Sequence, residues 1–188
     1  MDIKIRKAKL SKSGTLEATY IDEDGNEISL KGNNICHNDL KTALAALVPF
    51  FADLTEQKES DRINWDDLEC AENVDLLRRL DVSGVSMGSD DTMPMVTMTG
   101  RRTLLTSKVL NLNSPAVDLH GEQMEWPHLD DFDIAVQNFI YECEQYITER
   151  KWQVRQPELN FEDNDDPFSG AEPTEDVGIP VEEADHVA

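Results

Sequence analysis

From Met95 to Thr99 the side chains alternate as in a half-buried strand, with Met95, Thr97 and Thr99 on one face and Val96 and Met98 on the other. The preceding run, Val82–Met87, carries Val82, Val85 and Met87 but loses strict alternation at Gly84. That predicts a bulge or a close backbone approach. A third run, Val109–Leu112, sets Leu110 and Leu112 against Asn111 and Asn113, and Pro115 ends its ladder because proline has no N–H to donate. Gly88–Asp91 has the chemistry of a hairpin loop and Gly100–Arg102 that of a second tight turn. The stretch 82–115 is therefore expected to be a three-stranded meander.

Three more strands are expected before it. Ile3–Leu10 alternates apolar and basic residues as far as Arg6, and Thr15–Ile21 follows a turn at Ser11–Gly14. Asp22–Asn26 holds an Asp-Gly pair suited to a tight hairpin, and Glu27–Lys31 returns. A helix then begins with Asn38 as N-cap and Asp39 in its first turn. It places Leu40, Ala43, Leu44, Leu47, Val48, Phe51 and Leu54 at helical spacing, kinked or interrupted near its middle by Pro49. Residues 55–81 are highly charged and predict a loop with one short helix over Val74–Leu80. Residues 117–129 read as irregular. The final helix starts near Asp130 and buries a stripe of Phe132, Ala135, Val136, Phe139, Ile140, Cys143, Tyr146 and Ile147. Arg150 and Lys151 suit its C-terminal end.

The expected fold is α+β: a mostly antiparallel sheet of about six strands, β-β-β-α-β-β-β-α, with two helices packed on one face. The expected domain spans 1–154. Beyond Arg155 the chain turns polar, acidic and proline-bearing, so 155–188 is expected to be a disordered acidic tail.

Charge changes this picture most. The net charge is −22, of which residues 156–188, with eleven acids and no Lys or Arg, supply −11 and the rest of the chain −11. The first twelve residues run the other way, with Lys4, Arg6, Lys7, Lys9 and Lys12 against Asp2. Two readings of that strand stand: a charged edge that blocks unwanted pairing, or a contact for nucleic acid or an acidic partner, joined by Arg101, Arg102 and Lys108. The acidic group Asp66, Asp67, Glu69, Glu72 and Asp75 lacks the order of a calcium loop and reads as a solvated face. His37 has no Cys or His at metal spacing. Cys36, Cys70 and Cys143 are too few and too scattered for a disulfide framework or a CxxC site, so a reduced intracellular chain is expected. No apolar run approaches the roughly 20 residues of a membrane span, hence the expectation of a soluble, cytoplasmic protein. Neither a nucleophile elbow, a phosphate loop nor a zinc-protease motif is present, so no catalysis, cofactor or metal is expected.

Two tail segments resemble short docking peptides. Gln156-Pro-Glu-Leu159-Asn-Phe161 resembles the Q-x-x-L-x-F peptides that bind bacterial sliding clamps. Asp163-Asn-Asp165-Asp166-Pro167-Phe168 resembles the acidic tips of bacterial single-stranded-DNA-binding proteins, although no residue separates Asp166 from Pro167 and the motif is internal. The run Val82-x-Gly84, Gly100-x-x-x-Leu104 and Val109–Pro115, between a β-rich first third and a final helix, resembles small uncharacterised bacteriophage and prophage accessory proteins found near replication and recombination genes. That resemblance implies a non-catalytic accessory of DNA metabolism, meeting single-stranded DNA through the basic strand and replication or recombination proteins through the tail. Two alternatives remain open: an acidic nucleic-acid mimic that inhibits a host protein, and a homo-oligomeric structural protein.

Overall fold

A computed structural model describes residues 3–88, 94–120 and 126–151. The Asp-Gly hairpin forms as its chemistry demands. The Asp22 carboxylate accepts from the backbone N–H of Asp24 and Asn26 at 3.0 and 2.8 Å, and Gly25 takes a φ of +82°. The strands are β1 Lys4–Leu10, β2 Thr15–Ile21, β3 Glu27–Ile35, β4 Leu80–Met87, β5 Met95–Thr103, β6 Val109–Asn113 and β7 Val117–Asp118. All pairings are antiparallel, in the order β3-β2-β1-β4-β5-β6, with β7 also on β5. The α+β class expected from the patterns is what forms.

β1 is not an edge. It lies between β2 and β4, pairing Lys9 with Glu17 on one side and with Gly84 on the other. The edge reading fails because local alternation says which residues form a strand and nothing about its neighbours. Gly84 permits this packing: a Cβ there would fall 2.7 Å from the Ala8 carbonyl and 2.9 Å from Lys9 Cβ. The β4–β5 register also slips between Val82 and Gly84, so both expectations for this glycine hold.

Gly100 is no turn. It lies within β5, and the hairpin closes later, where Leu104 N–H donates to Lys108 O at 2.8 Å. Its missing side chain makes room for the Phe51 ring, 2.7 Å from where a Cβ would stand. Pro115 does end β6, yet the same edge resumes as β7. Ser114 bridges the gap: its N–H donates to Met98 O at 2.9 Å while its hydroxyl accepts from Met98 N–H at 2.9 Å.

The helices are α1 Asn38–Ala45, α2 Val48–Leu54, α3 Ala71–Leu77 and α4 Leu129–Thr148. Pro49 splits the expected long helix, because it withholds the N–H that Ala45 would accept and fits the first turn of a new one. His37, rather than Asn38, caps α1, its Nδ1 accepting from Asp39 N–H at 3.3 Å. α3 starts at Ala71, and Leu80 belongs to β4. Residues 55–79 are more than a loop. Buried Asn73 accepts from Asn64 N–H at 2.9 Å and donates to the carbonyls of Asn64 and Asp67 at 2.9 and 3.1 Å. Trp65 stacks on His128 with ring centres 3.5 Å apart, which fastens this segment to the start of α4.

One phase of each strand joins the helices in a single core, with Ala8, Leu16, Val82, Val96, Met98, Phe50, Phe51, Phe132, Phe139 and Cys143 all buried. Each fully buried large side chain contributes about 1.5–3 kcal/mol before entropy. The expected domain boundary at 154 and the whole expected tail, 155–188, lie outside the described residues.

Candidate functional site

The other phase of the same strands forms a face that no helix covers among the described residues. Its side chains follow from the register in continuous rows. Lys31, Glu17, Lys9, Gly84, Thr99 and Asn113 make one row across six strands. Ser29, Thr19, Lys7, Ser86 and Thr97 make the next. The pairing Lys4↔Ile21 adds a third lysine of β1 to this face.

Strict alternation would not put Lys4, Lys7 and Lys9 on one side. The bulge does so: the register shifts between Ile5 and Lys7, so Arg6 is an extra residue and the phase resets. Ile5 and Ala8 stay buried on the helix side as a result. Arg6 itself donates to Gly88 O at 2.8 Å.

Beyond Lys9 and Gly84, β1 and β4 cease to pair. The gap opens into a groove of about 540 Å³ lined by Lys9, Lys12, Lys41 and Arg101, with Asp81 as its acid. Lys9 lies 3.6 Å from Glu17, and Arg101 lies 2.6 Å from Asp81. Lys7, Lys31, Lys12 and Lys41 make no ion pair among the described residues.

The remaining expected site residues separate from this group. Arg102 projects to the helix side, where its guanidinium grips the Glu59 carboxylate at 2.6 and 2.8 Å and Gln57 at 2.7 Å. That contact holds the Glu59 carboxyl below, and the Arg102 guanidinium above, their ordinary values. Lys108 lies at the tip of the β5–β6 hairpin, past the end of the ladder. Gln156, Leu159, Phe161, Asp165, Asp166, Pro167 and Phe168 lie outside the described residues. Lys31 and Lys41 escape sequence reasoning, since placing them requires the β3 register and the groove.

The face carries Ser, Thr and Asn between its charges but no aromatic side chain among the described residues. It therefore suits Coulombic contact with an anionic chain rather than stacking of bases. The buried thiols offer little chemistry. Burial pushes Cys143 well up and Cys36 up, and Tyr146 is raised to about 12 while its hydroxyl donates to Asn34 O at 3.0 Å. Among the described residues, no group of three or more His, Cys, Asp or Glu is arranged to hold a metal ion, and no helix is long and apolar enough to cross a membrane. Comparison with protein-family models, curated proteins and solved structures found no match.

Proposed function

We propose that this chain is a non-catalytic accessory protein of phage-type DNA replication or recombination, whose open sheet face follows the phosphates of a single strand. The observation that carries this reading is the convergence of Lys4, Lys7, Lys9 and Lys31 on one face that no helix covers among the described residues, in a body whose net charge is −11. Without a stacking platform, binding rests on phosphate contacts and is indifferent to sequence. The acidic tail would weaken it by long-range repulsion and offer its two short motifs to replication proteins.

Fluorescence anisotropy with a labelled oligothymidylate tests this. Phosphate contacts from Lys7, Lys9 and Lys31 predict a slope of about −2 in log affinity against log salt, since each contributes about −0.7 on single strands. Deleting 156–188 should strengthen binding. Absence of binding even at low salt would remove the proposal.

A second reading has its own support. Asp66, Asp67, Glu69, Glu72 and Asp75 are all exposed on the segment stitched by Asn73, an ordered acidic surface of the kind a nucleic-acid mimic needs. Retention of this protein on a basic nucleic-acid-binding protein, displaced by DNA, would favour it.

A further inference from the structure

We propose that β6 is a self-association edge, through which two copies pair β6 against β6 about a two-fold axis at Asn111. The orientation of the backbone comes from the ladder. Leu104 N–H bonds Lys108 O and Ser114 N–H bonds Met98 O, so the residues of that phase, Leu110, Leu112 and Ser114, turn their backbone groups toward β5. Val109, Asn111 and Asn113 then direct N–H and C=O outward, and among the described residues no strand pairs with β6 on that side.

A single antiparallel register satisfies all of these groups. With Asn111 opposite Asn111 of the second copy, Val109 meets Asn113 and each opposed pair exchanges both of its bonds. The same register sets Leu110, 47 % exposed, against Leu112 of the second copy, forming a four-leucine cluster on the helix side.

Charge selects a second copy as the occupant. From Thr103 to Val117 the only charged residue is Lys108, within a chain of −22, so here two acidic molecules meet without opposing carboxylates. β6 also lacks charge and proline along its length, the usual protections of an edge, whereas the opposite edge, β3, carries Glu27 and Lys31. Pairing would join the two open faces into one surface, with the Arg101 residues of the two copies about 14 Å apart across the axis, three strand spacings.

The test is sedimentation velocity on the full chain, whose readout is mass and so is independent of DNA binding. The expected result is a dimer half-formed at or below about 100 μM. It should tighten with added salt as like charge is screened, the opposite trend to phosphate binding. Asn111→Pro removes one outward N–H, which an edge tolerates, and should weaken the dimer at least about tenfold. Leu110→Lys should do the same by a separate route, so the result stands if either variant alone folds. Leu105→Ser, at the 84 % exposed hairpin tip outside the register, should leave the dimer intact. A monomer across the whole range overturns the proposal, and so does a dimer that neither Asn111→Pro nor Leu110→Lys weakens.

Discussion

The two faces of this sheet are built by the same strands from alternate residues, yet they answer to different physics. On the helix side, Val96, Met98 and Gly100 are buried and packing leaves no slack; on the open side, Thr97, Thr99 and Arg101 touch water. A change of one atom on the first face should alter stability, and a change of charge on the second should alter only what binds. The same division separates the two arginines at the end of β5: Arg102 is committed to Glu59, while Arg101 lines the groove.

The sharpest way to break this contrast is in the core. Phe139→Ala should lower stability by about 3–5 kcal/mol through the cavity it leaves, measured by denaturant unfolding. Gly100→Ala comes next, at about 3 kcal/mol, because its methyl would collide with the Asp81 carbonyl and the Phe51 ring. A cost under about 1 kcal/mol would mean that α2 does not press on β5 there.

Arg102→Ala should cost about 1–3 kcal/mol near neutral pH, since it leaves the half-buried Glu59 carboxylate without its partner. Here the folded carboxyl lies below its ordinary value. The pair's stabilisation is thus full above the ordinary glutamate value and fades as pH falls through the depressed one. In an acid titration of melting temperature, the variant should therefore lose less between neutral and acid pH than the parent.

The smallest effect on stability belongs to the open face. Lys7→Glu with Lys31→Glu should shift unfolding by no more than about 0.5 kcal/mol for each substitution, while oligonucleotide binding falls at least about tenfold. Equal loss of stability and binding would erase the distinction between the faces.

Much of the fold is legible in local patterns. The alternation of β5 buries Val96 and Met98, and the stripe on α4 buries Phe132, Ala135, Val136, Phe139, Cys143 and Tyr146, with Ile140 and Ile147 partly covered. Pro49 interrupts its helix, one of the two outcomes expected. The cationic face is only half legible. Lys4, Lys7 and Lys9 are visible as a basic run, but their common side depends on the bulge at Arg6, which satisfies the burial of both Ile5 and Ala8. Arg102 looks equivalent to Arg101 until its contact with Glu59, far away in the chain, is known.

By itself the sequence determined the class of the fold and the approximate place of six strands and the last helix, because alternation, helical spacing and turn residues act over a few neighbouring positions. Read alone, it misplaced the turn at Gly100 and missed β7. Only the tertiary structure decided that the basic strand is central, that Gly100 lies under a phenylalanine, and which lysines share a surface. Those outcomes depend on which distant strands pair and which side of each must be dry, and that balance is struck across the whole sheet at once.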